Sequence, residues 1–226
     1  MKKGDLLWLG ALGLVVVYLL GFTEQFNGLT KAFPYPMGFL KFFILATMGE
    51  ILAIRIVTGD YKKPVGLVWR AVVWGFFGMI FVFIFPLFAA GVKDAAAKGL
   101  LPKIIYAKGM AGAFGFAFFT SMIMNLAFAP TFMAFHRVTD TYIDMGNGNL
   151  SEIFKLKMND VVGKIDWKGF ISFVVCKISG LIFFAGIFFY EIYIIAVRNK
   201  AYILAVMLFC VNKSVFRGYC SYFGFS

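Results

Sequence analysis

The chain has 226 residues, 62% of them hydrophobic and 19% aromatic, and a formal net charge of +11. Soluble domains are only about 45–50% apolar, so this composition excludes an ordinary soluble protein. The apolar runs are continuous rather than alternating, which excludes a transmembrane β-barrel and predicts an all-α, polytopic transmembrane helix bundle. The positive charge lies mainly at the ends of these runs, so the expected partners are membrane lipids and not nucleic acid.

The first apolar run, Leu6–Phe22, is long enough to cross a bilayer as a helix. Lys2 and Lys3 precede it, as in a secretion signal. The run is longer than the usual signal core of about 7–15 residues, and no small-residue cleavage site follows it. We therefore predict that residues 1–32 form a retained signal-anchor span and a short polar link from Thr23 to Phe33.

The second and third runs, Gly38–Val57 and Val65–Gly91, are predicted spans separated by a turn cluster at residues 58–64. The motif Phe33-Pro34-Tyr35-Pro36 opens the second span, because proline is tolerated in the first turn of a helix. The third run is longer than a bilayer needs, which predicts tilt or a kink at Pro86.

The segment Val92–Gly109 holds four lysines and is predicted to include a short surface helix. The fourth span follows over Met110–Phe135. Asn125 within it can hydrogen-bond to a neighbouring helix, although packing is the favoured explanation for its presence. His136 follows this run and is expected at the membrane interface. The chain has no second histidine and no cysteine near His136 in sequence, so no metal site is predicted there.

The largest extramembrane segment is His136–Lys168, in which apolar and charged residues alternate over Leu150–Val162. This alternation suggests an amphipathic helix on the membrane surface. Asp166 and Trp167 are typical of a helix N-terminus at the interface, and Phe170–Tyr190 then makes about five spans in all. The cysteines form no metal-binding or redox spacing, and they are Cys176, Cys210 and Cys220.

Glu50 is the most informative residue, because a carboxylate within an apolar span needs a partner, a proton or water. Arg55 lies five residues on, about 140° around a helix, so the two do not share a face. Glu50 is either a pore-lining or proton-sensitive group, or a group paired with a neighbouring helix. Its candidate partners are Arg70, Lys41 and Lys177. Glu50, Arg70, Lys177 and Asn125 are the predicted intramembrane polar residues.

Several short motifs together resemble those of one family of small integral membrane proteins. They are Tyr35-Pro36, Gly49-Glu50, the segment Met124–Thr131 that ends after a proline, and Ile165-Asp166-Trp167. In register over Phe33–Lys177, they resemble the Mpv-seventeen and twenty-two-kilodalton peroxisomal membrane protein family. That resemblance implies a four-helix core preceded here by an added anchor helix.

Two departures from the family pattern affect the second half of the chain. The Gly-Pro motif followed by His and Trp-Tyr is reduced to Phe85-Pro86-Leu87. The signature expected after the Asp-Trp lead is absent, and Ile178–Ser226 contains no proline or glutamine. Our hypothesis is that residues 178–226 are a divergent or frame-shifted tail, whereas residues 33–177 form the family-like membrane bundle.

The family resemblance implies a channel-like or metabolite-flux role, which has been proposed for some members. The leading prediction is therefore a small protein for ion or metabolite flux. The alternative is a structural or partner-binding membrane protein with a buried ion pair at Glu50. No catalytic, cofactor-binding or zinc motif is visible, so the sequence predicts no enzyme, cofactor or metal.

The compartment and the assembly state are constrained only weakly by the sequence. No arginine-rich amphipathic presequence precedes the first run, so a bacterial plasma membrane is preferred and an organelle inner membrane is the alternative. An excess of basic loop residues, nine against five, favours a cytoplasmic N-terminus. The protein could form a homo-oligomer, and the sequence does not decide this.

Overall fold

The computed structural model describes residues 2–172 and 174–175. Within these residues all regular secondary structure is helical, which confirms the predicted all-α class. The elements are α1 Lys3–Gly21, α2 Thr23–Ala32, α3 Pro34–Thr58, α4 Leu67–Ala97, a 3-10 helix Lys103–Tyr106, α5 Met110–Ala127, α6 Ala129–Met145, α7 Leu150–Ile153 and α8 Met158–Gly163.

Four of these helices, α1, α3, α4 and α5, are long and apolar enough to cross a membrane. The chain is accordingly a multi-pass membrane protein. The predicted fifth span, Phe170–Tyr190, lies mostly outside the described residues, although residues 167–172 and 174–175 are helical. Lys177, the three cysteines and the tail from residue 178 also lie outside them.

The described chain divides into two compact units, with the boundary between Val82 and Phe83 inside α4. The first unit contains α1, α2, α3 and the first half of α4. The second contains the rest of α4 and the described elements after it.

In the first unit, α3 and α4 approach closely at two glycines. A Cβ atom placed on Gly38 would lie 2.6 Å from Cγ2 of Val82 and 2.8 Å from the carbonyl oxygen of Gly78. Phe42 and Phe81 stack beside this crossing, with their ring centroids 5.1 Å apart. Small residues at helix crossings allow such backbone contact in lipid, where van der Waals packing largely drives association.

Helix α1 also belongs to this unit through two polar contacts with α3. The indole Nε1–H of Trp8 donates a hydrogen bond of 3.1 Å to the carbonyl oxygen of Met48. The guanidinium of Arg55 contacts both carboxylate oxygens of Asp5, at 2.9 and 3.2 Å. Arg55 therefore joins α3 to α1.

The polar link predicted between the first two spans is helical, since residues 23–32 form helix α2. The first turn of α2 carries Glu24 and the last turn carries Lys31, which is the charge order that the helix dipole favours. Thr23 closes the preceding turn by donating its hydroxyl to the carbonyl oxygen of Leu19. The chain between the spans is therefore ordered.

Helix α4 runs six residues past the predicted end of span three at Gly91, as far as Ala97. The alanines at the end of this helix have the highest intrinsic helix propensity. The helix stops at Gly99, which adopts a left-handed conformation with φ +76°. The N–H of Leu100 reaches the carbonyl oxygen of Ala95 at 2.9 Å, as in a Schellman cap. Pro86 lies inside the helix, which continues on both sides of it.

The predicted fourth span, Met110–Phe135, was wrong as a single helix. Helix α5 ends at Ala127 and α6 begins at Ala129, with Phe128 between them. The ring of Pro130 removes one backbone donor and fits the first turn of a new helix better than a helix interior. Only α5 is a candidate span, and α6 continues beyond it as a more polar helix.

The predicted amphipathic helix over Leu150–Val162 was also wrong, because this segment forms two short helices, α7 and α8. Phe154, Leu156 and Met158 are spaced two residues apart, and a helix turns that spacing onto different faces. Asn149 caps α7 by accepting a hydrogen bond of 3.1 Å from the backbone of Ser151. The predicted N-terminus at Asp166 is present, since its carboxylate accepts a hydrogen bond of 3.0 Å from Gly169 N–H.

Candidate intramembrane polar site

Glu50 and Arg70 form an ion pair between α3 and the first half of α4. Nη1 of Arg70 lies 3.3 Å from Oε1 of Glu50. Only 15% of the glutamate side chain and 8% of the arginine side chain are exposed. Protein therefore covers most of the pair. Both residues belong to helices that are candidate membrane spans.

The second carboxylate oxygen of Glu50 is bound by Trp74. The indole Nε1–H of Trp74 donates a hydrogen bond of 3.0 Å to Oε2. Arg70 and Trp74 are four residues apart on α4, a spacing that places both on one helical face. Each oxygen of Glu50 therefore has a separate donor from the same helix.

The start of α4 orients the arginine. Nε of Arg70 donates a hydrogen bond of 2.9 Å to the carbonyl oxygen of Val65. This bond fixes the plane of the guanidinium, whose fork of donors suits a carboxylate. Arginine also stays protonated in proteins, so the pair keeps an ionised cation next to Glu50.

The electrostatics of this site favour holding the helices together. Taking two charges out of water is costly, and their attraction offsets this cost only when further hydrogen bonds complete the pair. The bonds from Trp74 to Glu50 and from Arg70 to Val65 complete it here. Removing one partner from a buried pair leaves an uncompensated charge and costs about 3–5 kcal/mol.

Lys41, another cation considered as a partner of Glu50, has contacts of its own. Nζ of Lys41 donates a hydrogen bond of 3.0 Å to the hydroxyl of Thr30 and lies 4.6 Å from the ring centroid of Phe26. Lys177 is outside the described residues. Of the two candidates among the described residues, Arg70 is the one that lies beside Glu50.

Asn125 belongs to the second unit and is buried in α5. Its Nδ2 donates to the carbonyl oxygen of Ser121 at 2.8 Å and to the hydroxyl of Ser121 at 3.1 Å. Both bonds described for this amide stay within α5, so the hydrogen bond to a neighbouring helix that the sequence allowed is not among them. The one-turn spacing of Ser121 and Asn125 makes the local bond geometrically available.

The sequence analysis did not predict two polar contacts, one at Glu50 and one within α6. Trp74 as a donor to Glu50 carries no sequence signal beyond its one-turn spacing from Arg70. The second is a pair within α6, in which Nδ1 of His136 lies 3.2 Å from Oδ2 of Asp140. His136 is buried, and its spacing of four residues from Asp140 was the available signal for the pair. Its expected position at the membrane interface stays a prediction.

Potential metal ligands do not cluster in the described part of the chain. No group of three or more His, Cys, Asp or Glu side chains is placed there to hold a metal ion. Comparison with protein-family models, with curated proteins and with solved structures gives no match to this chain.

Proposed function

We propose that this multi-pass membrane protein has a non-enzymatic, structural or partner-binding role in which Glu50 is locked in an interhelical ion pair. The observation that supports this proposal is that Arg70 and Trp74 engage the two carboxylate oxygens of Glu50 separately. A carboxylate held by two donors is satisfied without water or a permeating ion.

The burial of the pair supports the same proposal. A pathway-lining carboxylate needs an open side towards water or towards the permeating species. Most of the surface of Glu50 and nearly all of that of Arg70 is covered. The bond from Arg70 to Val65 further restricts the arginine from swinging away.

A small channel-like protein for ion or metabolite flux is the second candidate. The observation that favours it is an ionisable pair inside apolar candidate spans, since such residues are rare and often mark transport pathways. The 15% exposure of the Glu50 side chain leaves part of that side chain accessible. Membrane lipids are the proposed partners under either candidate, and a bacterial plasma membrane is the proposed location.

Flux and stability measurements on Glu50→Gln separate the two candidates. The purified protein is reconstituted into liposomes, and ion and small-metabolite flux is recorded for wild type and variant over a pH series. Unfolding in detergent is followed in parallel. Glu24→Gln is the matched control, because Glu24 is an exposed residue of α2 and undergoes the same chemical change.

The structural candidate predicts that Glu50→Gln lowers stability by about 3 kcal/mol, since the change removes the negative charge from the buried pair with Arg70. It also predicts no conductance in either protein. The channel candidate predicts flux in wild type that changes with Glu50→Gln while the fold is retained. Flux of that kind would overturn the structural proposal.

A further inference from the structure

The connection between α4 and α5 lies between two consecutive candidate spans. A connection between such spans emerges at the surface of the bilayer, where lipid headgroups are found. We define the connecting surface as residues 93–110, which include the last residues of α4, the 3-10 helix and the first residue of α5. All of these residues belong to the second compact unit.

The connecting surface is folded against the helix ends. The hydroxyl of Tyr106 donates a hydrogen bond of 2.8 Å to the carbonyl oxygen of Lys93. Ile105 is buried with Val92 and Ala96 of α4. Partly buried apolar side chains pack around this cluster, and they are Leu101, Phe116, Phe119 and Ile123. The lysines of this surface are therefore carried on an ordered backbone.

The connecting surface is strongly positive. It contains four lysines and one aspartate, a formal net charge of +3. Lys98 is paired with Asp94 at 2.8 Å, and Nζ of Lys93 lies 5.2 Å from the ring centroid of Phe116. Lys103 and Lys108 are exposed, and no carboxylate of the described residues lies within ion-pair distance of either.

Exposed apolar side chains accompany these cations. Leu100 and Met110 are 74% and 71% exposed, and Ile104 and Tyr106 are also exposed. A soluble anion needs only the positive charge, whereas a lipid surface offers phosphate to the lysines and an acyl boundary to the apolar side chains. The mixture of charge and exposed apolar surface therefore favours a lipid.

We propose that the connecting surface is a docking site for anionic phospholipid headgroups, with Lys103 and Lys108 binding the lipid phosphate. The occupant is one or more anionic lipids of the leaflet that this connection faces. The site does not depend on the role of the Glu50 pair, so the two proposals fail separately.

The chain supplies an internal control for this proposal. The segment from residue 150 to residue 168 also carries four lysines, but three acidic residues accompany them, giving a formal net charge of +1. Lys157 and Lys164 in that segment are exposed, as Lys103 and Lys108 are in the connecting surface. Glutamine substitutions at either pair remove the same charge from different surroundings.

The experiment is native mass spectrometry of the purified full-length protein with added phosphatidylglycerol or phosphatidylcholine. Lys103→Gln/Lys108→Gln is compared with wild type and with the control Lys157→Gln/Lys164→Gln. A lysine near an anionic membrane surface contributes about fivefold in affinity, so the first variant should lose about 25-fold of the preference for phosphatidylglycerol. The control should stay close to wild type.

A second variant tests whether the loss of lipid binding comes from the lost charge or from the substitution of these positions as such. Lys103→Arg/Lys108→Arg keeps both charges and should retain the preference for phosphatidylglycerol. The proposal is overturned if the glutamine variant binds phosphatidylglycerol like wild type, or if the control variant loses as much. Displacement of bound phosphatidylglycerol by inorganic phosphate alone would assign the site to a soluble phosphate and would also overturn it.

Discussion

Replacing Gly78 by alanine should destabilise the first unit, although alanine is the better helix former. A Cβ atom at Gly78 would collide with the carbonyl oxygen of Gly38 and lie 2.8 Å from the Cβ atom of Phe42. The carbonyl oxygen of Gly38 is part of the backbone, and the Cβ atom of Phe42 is bonded directly to it. Neither atom can therefore move aside by a side-chain rotation. The helices α3 and α4 must then move apart at their closest point.

The expected magnitude follows from opposing effects. Overpacking a tight contact costs about 1–3 kcal/mol. Glycine-to-alanine within a helix interior returns about 0.5–1 kcal/mol through higher helix propensity. Because the contact is with backbone, we place the net loss for Gly78→Ala at about 1–2 kcal/mol. Separation of the helices would also lengthen the contact between Glu50 and Arg70, which spans the same two helices.

The assay is reversible unfolding in detergent micelles, followed by tryptophan fluorescence and circular dichroism. Gly91→Ala is the matched control, because Gly91 lies in the same helix and a Cβ atom there would meet nothing within 4 Å. The control should be as stable as wild type or slightly more stable. Equal stability of Gly78→Ala and Gly91→Ala would refute the close crossing of α3 and α4.

Two further predictions concern the contacts around α1. Trp8→Phe keeps an aromatic side chain but removes the indole N–H that donates to the carbonyl oxygen of Met48, so unfolding in detergent should show a loss of at least about 0.5–1.5 kcal/mol. An unchanged free energy of unfolding would contradict this contact. The backbone N–H of Tyr61, followed by the ammonium of Lys2, lowers the pKa of Asp60 below its usual 3.8. A lowered folded pKa gives stability that is present at neutral pH and lost as the pH falls through that pKa, so Asp60→Asn should lower Tm at neutral pH and much less at about pH 3.

The sequence was sufficient for the helical membrane class and for the positions of the four described spans. Continuous apolar runs leave an α-helix as the only spanning structure, so α1, α3, α4 and α5 each appear where a run was found. The errors in these four spans lie at helix ends. Gly99 follows the end of α4, and Pro130 follows the break between α5 and α6. A hydropathy pattern does not mark either position.

The candidate site could be predicted only in part. A charge inside an apolar run requires a partner, and the candidate cations included Arg70, which the structure brings to Glu50. Lys41 lies nine residues before Glu50 on the same helix, about 13 Å along its axis, so it is out of reach of the carboxylate. The pairing with Arg70 requires the faces of α3 and α4 that carry the two side chains to meet, and hydropathy does not report which faces meet. Trp74 is the one member of this cluster that sequence reasoning did not name.

The local contacts of α5 and α6 show the same dependence on geometry. Asn125 bonds to Ser121 one turn earlier, and His136 pairs with Asp140 one turn later. Both contacts follow the spacing of four residues that places side chains on one face of a helix. Composition and hydropathy do not report which face is buried, so the sequence could not predict the burial of His136.

The most direct test of the Glu50–Arg70 lock is a double-mutant cycle on unfolding in detergent. Wild type, Glu50→Gln, Arg70→Gln and the double variant are compared, with flux recorded for each. The account predicts that either single change costs about 3 kcal/mol and that the double variant loses less than the sum, with a coupling of about 1–3 kcal/mol and no flux in any protein. Additive losses together with flux that depends on Glu50 would contradict it.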